Sequence, residues 1–348
     1  MAEPNDGSVS GSGASEEAGP PPLWRDGRSA FGLVFQSPLV FFILCGLTFL
    51  GSLVVLAGTR GLYSLTLVNP PEARLWHVIS AIEPALWMAA ALGLFNDFKR
   101  NGAVWPGTRR ERLAVLLCAL VVIPLLALPA LVQLSAQLPF TPAVLEALLE
   151  VPHLDVKGLI FNAIGTMVGG MAACGMLGVH VQLIGCVRRY RSLPGELAPG
   201  ELEADVLRYQ HFRSLVKRTL GFSAAIISSA LLNIGSFRNL LNAAFPSQAG
   251  MFPATANMGF GIYYTGILAS IYLPISMSLS QWGQALADRL VRHPRGRNDS
   301  WKEWSDERQA VRTYLGLEGS GLQDLQQGLA VLAPFLTAIS TLLFSSGK

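Results

Sequence analysis

GLIFNAIGTMVGGMAACGMLGVHVQLIGC, residues 158–186, runs for 29 residues without one Asp, Glu, Lys or Arg. The hydrocarbon core of a bilayer is crossed by about 20 mostly apolar helical residues, so this stretch reads as a membrane span. Gly165 and Gly169 stand at GxxxG spacing, and Gly170, Ala173, Gly175 and Gly178 continue a small-residue surface. Helix backbones approach closely along such a surface. Packing inside one bundle is the preferred expectation, with a homo-oligomer seam as the alternative.

Six further blocks of the same character lie on either side, at about 38–58, 76–95, 113–134, 221–241, 257–281 and 322–344. The chain is therefore expected to be all-α, a polytopic transmembrane bundle of about seven spans. Its composition agrees: 51% hydrophobic and only 14% charged residues, outside the soluble balance. Those proportions exclude an ordinary soluble enzyme, a disordered chain and a nucleic-acid-binding module with clustered basic charge. The lipid bilayer is the first partner implied.

Basic residues fix the expected orientation. Of the 26 Lys and Arg, 21 fall before the first block or after the second, fourth and sixth; Arg60, Arg74, Lys157 and Lys348 fall on the other side, and Arg238 lies within the fifth block. The positive-inside rule then places the N-terminus in the cytoplasm and the C-terminus outside. Arg outnumbers Lys 21 to 5, which with the Ala and Leu richness points to a GC-rich bacterial genome and a bacterial inner membrane. Residues 1–30, rich in Gly, Ser, Pro and Glu, read as a disordered cytoplasmic tail rather than a cleavable signal peptide.

Non-membrane segments are short. Leu202, Val206, Tyr209, Phe212, Leu215 and Val216 recur at helical spacing and predict an amphipathic helix over about 201–218, lying on the membrane or extending the fifth span. Ser300 is placed to cap a second one over about 301–315, bearing Trp301, Trp304, Val311 and Leu315. On the opposite side, residues 140–158 predict a short amphipathic helix ended by Pro152.

Ionisable groups inside spans are costly and mark candidate functional positions. Glu83 lies in the second block and Arg238 near the outer end of the fifth; Asn162, Asn239 and Asn242 are at comparable depth, with Asn257 opening the sixth block. Together they predict a polar cup open to the outside, with a binding or gating role. Three alternatives stand beside each other: a Glu83–Arg238 structural pair, a neutral Glu83 with a snorkelling Arg238, and a substrate or proton site. A second polar cluster, His180, Gln182, Asp324 and Gln327, is expected at the cytoplasmic side, where interfacial capping is its plainer explanation.

Proline recurs in the spans (Pro84, Pro124, Pro129, Pro274, Pro334), and each removes a helical donor, leaving a carbonyl to be satisfied by a neighbour. No cofactor or metal is expected. The four cysteines make no CxxC pair, the five histidines have no i, i+3 or i, i+4 spacing, and no HExxH, GxSxG, P-loop or dinucleotide fingerprint occurs. Ser236 with His77 as base is the remotest option, an intramembrane serine protease.

The function expected from these features is transport or channel-like passage of a small solute or ion. The alternative is a non-transporting sensor or assembly subunit whose cytoplasmic helices meet a protein partner. A membrane-embedded lipid-modifying enzyme is a third.

Overall fold

The computed structural model describes residues 37–57, 70–100, 106–135, 141–148, 152–192, 199–251, 253–291, 300–317 and 321–346. The expected tail, 1–30, lies outside them. Among the described residues there are helices and no strand: α1 (Pro38–Ala57), α2 (Pro71–Arg100), α3 (Arg109–Ser135), α4 (Pro142–Leu148), α5 (Leu154–Ser192), α6 (Pro199–Ala244), a 3-10 turn (Pro246–Met251), α7 (Ala254–Leu290), α8 (Trp301–Leu315) and α9 (Gly321–Ser346). Pro38, Pro71, Pro142 and Pro199 each occupy a first helical position, where the missing N–H has no intrahelical partner to lose and the fixed φ suits the helix.

Six of these helices, α1, α2, α3, α5, α6 and α7, are long and apolar enough to cross a membrane, and α9 carries a shorter apolar stretch, Gly328–Ser340. This fits an integral, multi-pass membrane protein. By contact the chain divides into two units, Met1–Ile43 and Leu44–Lys348. In the first, Ser37 Oγ accepts the Val40 N–H at the start of α1.

The second unit is built on α5, α6 and α7, which pack on one another; α2 lies against α5 and α6, α3 against α5 and α7, and α9 against α6 and α7. Between membrane helices, apolar burial supplies no net drive, so close packing and polar contacts hold them. The glycines of α5 show how. A Cβ at Gly165 would meet the Trp87 ring of α2 at 2.9 Å, one at Gly170 would meet Ile123 of α3 at 3.3 Å, and one at Gly169 would meet Leu126 at 3.7 Å. Gly165, Gly169 and Gly170 are thus covered by two helices of the same chain.

Helices α2 and α6 run antiparallel in a register that four contacts define. Trp76 and Phe237 stack with ring centroids 5.2 Å apart, Ser80 and Glu83 meet Asn233, Gly93 lies under the Phe222 ring, and Asp97 pairs with Arg218 at 2.6 Å. On α3, Pro129 cannot donate to the Leu125 carbonyl. The Tyr263 hydroxyl of α7 donates to that oxygen at 2.7 Å, and Tyr264 reaches the Leu126 carbonyl at 3.3 Å.

Helix α6 is 46 residues long, about 69 Å at 1.5 Å per residue, more than twice the ~30 Å hydrocarbon core. One unbroken helix therefore carries both the segment 201–218 and the apolar block 221–241. The excess length lies at the basic end, where α2 finishes and α3 begins. There Tyr190, Tyr209, Phe212 and Trp282 from α5, α6 and α7 form the aromatic heart of the largest buried cluster, with Leu315 of α8. Tyr190 ties three helices: its hydroxyl donates to Asp205 at 2.7 Å, and its carbonyl accepts from Arg289, whose guanidinium also covers its ring at 4.9 Å.

Helix α8 starts at Ser300, whose side chain accepts the Lys302 N–H, and ends at Gly316, in the left-handed conformation at φ 63. Glycine takes that conformation without steric cost. The Arg213 guanidinium of α6 then donates to the Leu315 carbonyl at 3.0 Å, satisfying the end of α8 from another helix. At the other end of the bundle, Val144 and Ala147 of α4 are buried against Ala73, Trp76, Leu240 and Leu241.

Candidate functional site

Glu83 stands near the middle of the apolar part of α2, Pro71–Phe98, and is 3% exposed. Its position follows from helix phase: Trp76, Ser80, Glu83 and Trp87 recur at three- and four-residue steps and are all buried, the stripe a helix turns toward its neighbours.

Asn233 of α6 faces that stripe. Its Nδ2 donates to Glu83 Oε2 at 2.5 Å, while its Oδ1 accepts from Ser80 Oγ at 2.6 Å. One amide thus spans two polar groups one turn apart on the opposing helix. Both partners of this carboxyl network are neutral. Pro84, directly after Glu83, deprives the Ser80 carbonyl of its helical donor, so the polar set sits at a natural weak point of α2.

The other candidate residues divide. Arg238 is half-buried and its guanidinium donates to Asn239 Oδ1 at 3.3 Å. It makes no ion pair with Glu83, whose amide partner is Asn233. Five residues separate Asn233 from Arg238, which is about 140° around the helix; a side chain on the α2 face at 233 cannot share it with one at 238. Asn242 is half-buried, with Oδ1 enclosed and unpartnered.

Asn162 lies apart from this group. It is exposed, donates to the Gly158 carbonyl one turn earlier at 2.9 Å, and lines an apolar cleft described below. Of the second cluster, His180 is half-buried with Nδ1 enclosed and unpartnered, and Gln182 accepts from Arg208 at 3.4 Å. The side chains of Asp324 and Gln327 lie outside the described residues.

Ser236 and His77 do not form a nucleophile–base pair. Ser236 Oγ donates to the Asn233 carbonyl at 2.8 Å, and His77 Nδ1 bonds the Ala73 carbonyl at 2.6 Å; each is spent on its own helix. Among the described residues, no group of three His, Cys, Asp or Glu is placed to hold a metal ion.

Sequence reasoning did not single out Asn233. The available signal was its spacing: Phe222, Ile226, Asn233 and Phe237 recur at steps close to whole helical turns.

Two cavities stand out among the described residues. One, of about 780 Å³, lies among α2, α3 and α5; the other, of about 230 Å³, lies at the basic end among α3, α5 and α6. Neither is lined by Glu83, Ser80 or Asn233. Compared with protein-family models, curated proteins and solved structures, the chain gives no match.

Proposed function

We propose that the chain is a carrier for a small solute or ion, built on seven spans with α9 as the last, its N-terminus in the cytoplasm and its C-terminus outside. The observation that carries this reading is Glu83: an acidic group in mid-helix, buried, and held only by the neutral groups of Asn233 and, through it, Ser80. A charged side chain at mid-span costs roughly 2.5–3.5 kcal/mol on insertion scales. A group retained there without a counter-ion is a functional position by default.

Arg238, Asn239 and Asn242 follow Asn233 along α6 toward the end opposite the basic one. In this reading a solute or ion entering from that side meets the Glu83–Asn233 set, while Arg238, Asn239 and Asn242 lie nearer the entrance on other faces of α6. The register of α6 against α7, defined by Tyr209 and Phe212 with Trp282, puts Asn257, itself buried, at about the level of Asn233. In this reading α2 and α6 part at the level of Glu83 to let the solute pass. That is the behaviour of a switching carrier rather than a standing pore, and Pro84 supplies a place for α2 to bend. In this reading the host is a bacterial inner membrane.

The test is flux and conductance of purified protein in liposomes, wild type beside Glu83→Gln, over a pH series. Flux by the wild type that is lost in a folded Glu83→Gln protein supports the carrier. Silence from folded wild-type protein overturns it.

A second reading, an assembly subunit with a protein partner, is favoured by one observation. The apolar residues of 201–218, Val206, Tyr209, Phe212, Leu215 and Val216, are consumed in the chain's own core, whereas on α8 Trp301 is 70% and Tyr314 64% exposed. Replacing both by Ser leaves the bundle intact and removes partner capture if this reading holds.

A further inference from the structure

The smaller cavity, about 230 Å³ at the basic end of the bundle, gathers charged groups of both signs. It is smaller than the ~300–1,000 Å³ of sites that hold drug-sized ligands, a size suited to a few-carbon molecule. Arg189 comes from α5, Asp205 and Arg208 from α6, and Glu111 from the first turn of α3. All four act electrostatically on the Cys186 thiol in the cavity wall, Arg208 foremost, so they surround one point.

These charges do not neutralise one another by direct contact. Asp205 is only 8% exposed, and its Oδ2 accepts from the neutral Tyr190 hydroxyl at 2.7 Å. Arg208, one turn along the same helix, donates to the neutral Gln182 at 3.4 Å and lies over the Phe212 ring at 5.4 Å. Among the described residues, neither Asp205 nor Arg208 makes an ion pair. Glu111 Oε2 accepts the Thr108 N–H in a long contact of 3.4 Å. Arg189 has a 3.9 Å pair with Glu201, both side chains at least half exposed, a contact worth little in water.

Capacity is therefore left over on both sides. An ionised carboxyl offers about four lone-pair sites and a guanidinium five N–H donors, and one bond to a neutral group spends little of either. The arrangement is also held in advance of any ligand. Tyr190, which positions Asp205, is itself fixed by Arg289 through its carbonyl and its ring, and a site already in place binds without the cost of ordering it.

We propose that this cavity binds a small zwitterion, its phosphate or carboxylate end against Arg208 and Arg189 and its ammonium against Asp205 and Glu111. A simple anion would face the Asp205 carboxylate and a simple cation the Arg208 guanidinium. A molecule with both charges a few atoms apart meets the two residues that stand one turn apart on α6. This chemistry is shared by a free aminoalkyl phosphate and by the aminoalkyl phosphate head of a lipid. The site is independent of Glu83 and of the carrier reading.

The soluble probe is phosphoethanolamine, titrated into the full-length protein in detergent micelles with thermal melting as the readout. Inorganic phosphate and ethanolamine, at matched ionic strength, are the single-charge controls. The expected result is a saturable rise in melting temperature that exceeds the sum of the rises with the two controls. Arg208→Gln and Asp205→Asn should each weaken the apparent affinity about tenfold, the asparagine still accepting the Tyr190 hydroxyl. Where Asp205→Asn does not fold, Glu111→Gln is read in its place. In nanodiscs, phosphatidylethanolamine is compared with phosphatidylglycerol of the same chains. Higher melting with phosphatidylethanolamine, removed by the same variants, assigns the occupant to a lipid head; a response to phosphoethanolamine with no difference between the lipids assigns it to a free solute. Inorganic phosphate matching phosphoethanolamine overturns the zwitterion. Absence, in micelles and nanodiscs alike, of any response sensitive to the variants overturns the site.

Discussion

Asn233 donates its amide hydrogen to the carboxyl of Glu83 across the α2–α6 contact while accepting the hydroxyl of Ser80 one turn away. A single side chain on α6 thereby sets both the rotation and the register of α2. Asparagine suits the role because one amide offers a donor and an acceptor side by side.

If that amide is the partner, Glu83→Gln keeps the shape and leaves folding nearly unchanged, whereas Asn233→Leu strands Glu83. The Glu83–Asn233 coupling in a double-mutant cycle is expected at about 0.6 kcal/mol and below about 1.7 kcal/mol, the average and the maximum of such cycles between membrane helices. Arg238→Gln should show no coupling to Glu83. Reversible unfolding in mixed micelles measures all three.

The Gly165–Trp87 contact predicts a size rule. Gly165→Ala puts a methyl 2.9 Å from the indole and should destabilise by about 1–3 kcal/mol through overpacking. Trp87→Phe in the same chain should restore part of the loss. Gly158→Ala, with no atom within 4 Å, is the control and should be neutral or slightly stabilising; thermal melting in nanodiscs separates the three.

Tyr263→Phe removes the hydroxyl that serves the Leu125 carbonyl, an expected loss of about 1 kcal/mol. Pro129→Ala returns an N–H to that carbonyl. In the Pro129→Ala background, Tyr263→Phe should then be nearly silent, and equal losses in both backgrounds would refute the assignment.

Docking of α8 rests on Arg213 and Gly316. Arg213→Ala leaves the Leu315 carbonyl without its donor from α6, so amide exchange over 301–315 should quicken several-fold with little change in α5–α7. Gly316→Ala forces a side chain into the left-handed region, about 1 kcal/mol or more, and into the Arg213 guanidinium. Its effect should exceed that of Arg213→Ala.

How much of this was legible beforehand differs by feature. The apolar blocks were readable because a helix in lipid must satisfy its own backbone along a continuous run of apolar residues, which is a local property. Their ends were less readable. The sequence separates 201–218 from 221–241 by composition, but Leu215 to Phe222 contains no residue that breaks a helix, and α6 runs through without interruption.

The candidate site divides along the same line. Glu83 is conspicuous in the chain because its cost in an apolar run is intrinsic to the residue. Its partner is not, since Arg238 is the more obvious charge and Asn233 one amide among several. The choice between them is made by the rotation of α6, which turns residue 233 toward α2 and carries residue 238 to another face.

By itself, then, the amino-acid sequence determined the helical class, the placement of the apolar segments, the asymmetry of basic charge and the isolation of Glu83, all of which follow from residue chemistry summed along one strand of chain. Only the tertiary structure decided that Gly165, Gly170 and Gly169 of α5 receive Trp87, Ile123 and Leu126, that Tyr263 serves the Leu125 carbonyl, and that Asn233 holds Glu83. Those pairings depend on the phase and offset of helices distant in sequence, and small rotations of a helix exchange one set of facing side chains for another.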